Sequence, residues 1–188
     1  MKTCKTLAAL AAACLAVSVH AADTLPAGIL ITGQVSGAST QLFGLDYLSG
    51  EGTATNITRL MPLELEFISA DGALQVDFST DGRIQVWNNT LGLDLPGQYT
   101  LTFTFAGLGQ PLATFAMVNT GGLTGGSYSL MLTGPDTVRL TLDNLSFSSE
   151  FGILTTQVTA AAVPEPGSLA LFGAGLGLLA LRRTRRSA

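Results

Sequence analysis

The chain has 188 residues and a formal charge of −4, enough length for one domain with a sizeable core. That charge hides a split: all 13 acids and only three bases (Arg59, Arg83 and Arg139) lie between residues 22 and 166, a net −10 with no Lys. Such a body repels nucleic acid and anionic polymers. Because Cys4, Cys14 and His20 all fall in the first 21 residues, the body can hold no disulfide, Cys/His zinc site, Cys-His nucleophile pair or Ser-His-Asp triad.

The N-terminus is patterned for export. Lys2 and Lys5 precede an apolar run from Leu7 to Val19, and small residues follow at Ala21 and Ala22. A positive start, a short apolar core and a small-residue exit predict a signal peptide over 1–21, handled by the export machinery. The apolar run makes a helix of roughly 20 Å, short of a bilayer core of about 30 Å. Cys14, preceded by three alanines, offers a lipoprotein alternative, but the apolar run continues past it.

Within this body the domain expected over 22–160 alternates with period two. Leu63–Phe67 reads LELEF and predicts a strand with Leu63, Leu65 and Phe67 inward and Glu64 and Glu66 outward. Leu74, Val76 and Phe78 share a face, as do Ile84 and Val86, and then Tyr99, Leu101, Phe103 and Phe105. Asp71-Gly72 and Asp81-Gly82 predict turns, so 69–87 reads as a three-stranded meander. Gly121-Gly122 and Gly125-Gly126 predict a flexible loop. Alternation resumes over Ser127–Leu132, Val138–Leu142 and Leu145–Phe147, with Asp143 and Asn144 expected at a bulge or turn. Many short strands between Gly, Asp and Asn turns predict an all-β fold, an antiparallel β-sandwich or jelly-roll-like domain, with a partly open barrel as the alternative.

The body offers three kinds of candidate site. Trp87, followed by Asn88 and Asn89, is a candidate glycan-binding group: an indole face stacks on a sugar ring while amides bind hydroxyls. Asp71, Asp77 and Asp81, or Asp136, Asp143 and Asn144, are candidate calcium ligands by their oxygen chemistry, though neither group has EF-hand spacing. A glycosidase needs two carboxylates across a cleft, and Glu64 and Glu66 are simply adjacent on one strand face. The bland readings are a packed tryptophan and aspartates that cap turns.

The C-terminus reads Val163-Pro164-Glu165-Pro166, then an uncharged run from Gly167 to Leu181, then Arg182, Arg183, Arg185 and Arg186. The prolines hold 164–166 extended and out of any following helix. The apolar run predicts a short transmembrane helix with the arginines on the cytoplasmic side. This tail, over 161–188, resembles the PEP-CTERM sorting signal of Gram-negative bacteria. The resemblance implies an exosortase-type processing enzyme as partner, with processing near Val163–Pro166. It further implies transient residence in the inner membrane as an anchored precursor, and then delivery to the cell surface or extracellular matrix. The body is expected to be a non-enzymatic domain that meets polysaccharide or protein; a small carbohydrate-active enzyme with paired carboxylates and a structural spacer are the alternatives.

Overall fold

The computed structural model describes residues 24–45, 56–162 and 173–175. The expected signal peptide, Val163–Pro166 and the four terminal arginines lie outside the described residues.

Among the described residues eleven strands follow one another: β1 (Leu30–Gly37), β2 (Leu42–Gly44), β3 (Ile57–Arg59), β4 (Phe67–Ser69), β5 (Leu74–Phe78), β6 (Arg83–Asn88), β7 (Asp94–Ala106), β8 (Leu112–Asn119), β9 (Leu123–Leu132), β10 (Thr137–Phe147) and β11 (Ile153–Ala160). They form two sheets. Sheet A has the order β3-β1-β7-β10-β9 and sheet B the order β2-β4-β5-β6-β11-β8. All the pairings are antiparallel.

The alternating apolar positions build the core between the sheets. Leu74, Val76, Phe78, Ile84 and Val86 point inward from sheet B, and Tyr99, Leu101, Phe103 and Phe105 from sheet A, all buried. Ring contacts join the two layers: Phe103 lies 5.6 Å from Phe67 and 5.0 Å from Phe78, and Phe78 lies 5.8 Å from Phe105. Such edge-on and tilted pairs favour contact of ring edge with ring face. Gly33 in β1 leaves space for this cluster, because a Cβ there would come within 2.8 Å of the Phe67 ring.

The meander β4-β5-β6 turns at Ser69–Gly72 and Ser79–Gly82, each closed by an N–H of the glycine donating to the serine carbonyl. The first turn is tied to the opposite sheet. Asp71 accepts from Ser69 Oγ (2.5 Å), the Ala73 N–H (3.2 Å) and the Tyr99 hydroxyl of β7 (2.9 Å). Partial burial pushes the Asp71 carboxyl up, but these donors together hold it below its ordinary value. Burial, then the hydrogen bond and charge of Asp71, push the Tyr99 phenol up to about 12. Tyr99→Phe is expected to cost about 1–2 kcal/mol, because it removes a charge-assisted bond between the sheets and keeps the ring. Urea midpoints of the two proteins check this.

Three expectations are corrected. Residues 63–66 are not a strand. Pro62 and Leu63 occupy the centre of a turn closed by the Glu64 N–H on the Met61 carbonyl, proline being favoured at the first central position. Leu63 sits at φ 68, fully exposed, and Glu66 is buried at 1% exposure. The outward Glu64/Glu66 face therefore does not form. Gly125-Gly126 belongs to β9 rather than to a loop. Gly126 has φ 82, and a Cβ on it would lie 2.3 Å from the Asn144 carbonyl oxygen. There the β7–β10 register shifts between Asp143 and Leu145, and Asn144 Oδ1 accepts the Gly97 N–H.

The third correction concerns the tail. Among the described residues no helix is long and apolar enough to cross a membrane, and of the tail only residues 161–162 and the helical residues 173–175 are described. The short C-terminal transmembrane helix, and the inner-membrane-anchored precursor that depended on it, are therefore set aside. The physical reason is length and composition. The uncharged run from Gly167 to Leu181 would extend only about 22 Å against a core of about 30 Å. Gly173, Gly175 and Gly177 interrupt it, each about 1 kcal/mol poorer than alanine in a helix.

Candidate functional site: the outer face of sheet B

The strand register sets two rows of side chains on the outer face of sheet B. Phe43, Ile68, Gln75, Trp87 and Ile153 are successive partners across β2, β4, β5, β6 and β11. Asp77, Gln85 and Thr155 form the next row. Inward neighbours such as Val76 and Val86 are buried, so strand alternation places these rows outward.

Two hollows open on this face. One, of about 300 Å³, is lined by Leu63, Glu64, Leu65, Gln75, Asp77 and Trp87. The other, of about 290 Å³, is lined by Gln85, Asn119, Ser149, Phe151, Ile153 and Thr155, with two glycines. Trp87 lines the first and its register partner Ile153 the second; Asp77 and Gln85 are divided the same way. The hollows thus lie side by side on one face, the outer trough of sheet B.

The Met61–Glu64 turn walls the first hollow, and a carboxyl pair lies beneath it. Glu66 accepts the Phe78 N–H at 2.8 Å and the Met61 N–H at 3.3 Å. Burial, reinforced by the charge of Asp77 and a hydrogen bond with it, pushes Glu66 up to about 8 despite the two backbone donors. Burial also raises Asp77, while the bond from Glu66 opposes the rise. At neutral pH Glu66 therefore holds the proton and donates it toward the half-buried Asp77 carboxylate, since a buried carboxyl beside a second carboxylate resists ionising. A retaining glycosidase holds its two carboxyls roughly 5 Å apart across an open cleft, whereas Glu66 is buried and accepts from the Met61 and Phe78 N–H groups. The pair fixes the turn to β5.

The sequence-derived candidates separate. Trp87 lines the trough, half-buried, and its indole N–H is buried without a hydrogen-bond partner among the described residues. Asn88 is buried and folds the following loop, accepting the Thr90 N–H and hydroxyl and donating to the Gly92 carbonyl. Asn89 donates to the Gly72 carbonyl at 2.8 Å. Of the calcium candidates, Asp71 is engaged by Tyr99, Asp77 by Glu66, and Asp81 by Arg83 at 3.1 Å. Asp136 accepts from the Thr137 hydroxyl, and Asp143 from the Asn144 amide. Among the described residues no group of three or more His, Cys, Asp or Glu is placed to hold a metal ion. Sequence reasoning missed the Glu66–Asp77 pair; the signal that finds it is Pro62, which breaks the strand reading four residues earlier.

Beyond the trough the chain runs directly into its tail, with the Ala161 N–H on the Pro111 carbonyl. Residues 162–186 match the model of the PEP-CTERM protein-sorting motif. The chain carries a PEP-CTERM sorting motif. This motif is characteristic of exosortase substrates and is a sorting signal, typically without catalysis of its own. It implies an exosortase-type enzyme as partner and is consistent with an exported, surface-directed protein. No curated protein and no solved structure is detectably similar to the chain.

Proposed function

We propose that the PEP-CTERM motif delivers a non-enzymatic surface or matrix domain that binds polysaccharide along the outer trough of sheet B. The observation that carries this reading is the juxtaposition of Trp87 with Gln75, Asp77 and Gln85 across two neighbouring hollows. An indole between polar side chains gives a sugar ring an apolar platform, and amides and a carboxylate bind its hydroxyls. The net −10 of the body repels anionic polymers, so the preferred glycan is neutral or basic. The paired-carboxylate hydrolase reading loses its support here, because Glu66 and Asp77 bind one another.

The chain contains a single tryptophan, so its intrinsic fluorescence reports on this site alone. Titration of the full chain with neutral and with anionic polysaccharides is expected to shift the emission for the neutral series only. Trp87→Ala is expected to weaken binding, measured by affinity electrophoresis, by about thirtyfold, as for a central aromatic anchor. Binding that survives this substitution unchanged would sink the proposal.

A further inference from the structure

The two sides of the sandwich are finished differently. On one side the sheets end in β2 and β3, which lie beside each other. Each has three residues, and β3 carries Arg59. Short, charged end strands are how sheets avoid pairing with other chains. On the other side the sheets end in β8 and β9, also neighbours, of eight and ten residues. Among the described residues each of these pairs with a strand on one side only, β11 for β8 and β10 for β9, and the Leu112 N–H at the start of β8 also donates to the Pro135 carbonyl.

This second side lacks the charges and prolines that usually protect an edge, and its bulges are confined to residues 123–127 of β9 and to the two ends of β8. From residue 95 to residue 135 the chain contains no Asp, Glu, Lys or Arg, in a body that otherwise carries net −10. Neither β8 nor β9 contains proline. Val118, Tyr128 and Met131 are exposed, and Phe115, Met117, Leu123, Leu130 and Leu132 are only partly covered against the rim of the core.

We infer that the β8/β9 side is a self-association surface, on which β9 of one copy pairs antiparallel with β9 of a second copy across a two-fold axis. Charge selects this occupant. Two copies at net −10 repel each other over most of their surface, and the side whose two end strands carry no charge is where they approach without apposing edge carboxylates. A two-fold axis normal to the sheets sets β9 against itself and β8 against itself together, so both sheets continue from one copy into the next. The regular stretch Ser127–Leu132, which pairs with β10 without a register break, supplies the free edge. Its outward side chains, Ser129 and Met131, then meet their counterparts. Because the opposing force is long-range repulsion, added salt strengthens the pairing.

Sedimentation velocity of the full chain is expected to move from one chain toward two as concentration rises, and further at higher salt. The double substitution Ser129→Lys, Met131→Lys is expected to weaken this at least about tenfold, because like charges oppose each other across the seam. The control, Leu91→Lys with Leu93→Lys, makes the same charge change at exposed positions away from the edge and is expected to associate like the parent or more tightly. Hydrogen exchange on the unmodified chain provides a second readout: amides of 123–132 are expected to slow with concentration and those of 57–59 to stay unchanged. A single chain at every concentration, association that survives the edge lysines, or protection confined to another segment would each overturn the inference.

Discussion

Phe103→Ala is expected to destabilise the fold by about 3–5 kcal/mol, a large part of the 5–15 kcal/mol typical of a domain. Phe103 is 1% exposed, stands on a central strand of sheet A, and touches Phe67 and Phe78 of sheet B. Alanine deletes the ring that joins the layers, and the surrounding strands, held in register on both sides of β7, collapse only partly into the gap. No disulfide offsets the loss, since both cysteines precede the body. Phe103→Leu keeps most of the volume and is expected to lose less than half as much. Urea denaturation at fixed pH measures both; a loss below about 1 kcal/mol for alanine would mean that the sheets do not share this core.

Stability is also expected to fall as pH rises from about 4.5 to about 8, and Glu66→Gln to abolish most of that fall. Glu66 keeps its proton in the folded chain up to about 8, whereas its ordinary value is 4.5. Between those values the native state binds one more proton than the unfolded state. The stabilisation is therefore fully present below 4.5 and is lost as pH rises through 8. Over the whole window the change amounts to roughly 3–5 kcal/mol. A glutamine amide donates to Asp77 as the carboxylic acid does, and it does not titrate. Denaturation midpoints for both proteins at about pH 5 and about pH 9 test this, with the variant expected to gain relative stability at the higher pH. Equal pH slopes in the two proteins would place the shared proton on some other group.

The strand faces are legible in the sequence wherever alternation is uninterrupted, as from Tyr99 to Phe105, because a half-buried strand must alternate. Where alternation is brief, turn chemistry overrides it. LELEF has the right period, yet Pro62 begins a turn that lifts Leu63 into solvent and drops Glu66 into the interior. Trp87 is identifiable as a candidate because it is unique, but its surroundings are not. Gln75, Asp77, Gln85 and Ile153 reach it only through strand pairing, and the neighbouring Asn88 and Asn89 are drawn into loop bonds. The Tyr99–Asp71 bond joins different sheets and leaves no local trace. The tail shows the opposite limit: its sorting motif is plain from residue order alone, whereas reading a membrane helix into the same run asks more of its length than an apolar composition provides.

The position of β11 bears on timing. It is the last of the described strands, yet it lies inside sheet B, between β6 and β8. A chain made from its N-terminus therefore carries β8 with no described partner in its own sheet until residues 153–160 arrive. The sorting motif begins at 162, so sheet B closes only when the chain has advanced to the threshold of the motif. Completion of the domain and presentation of the motif thus become nearly one event. A chain cut short before residue 153 loses the middle of a sheet as well as its address.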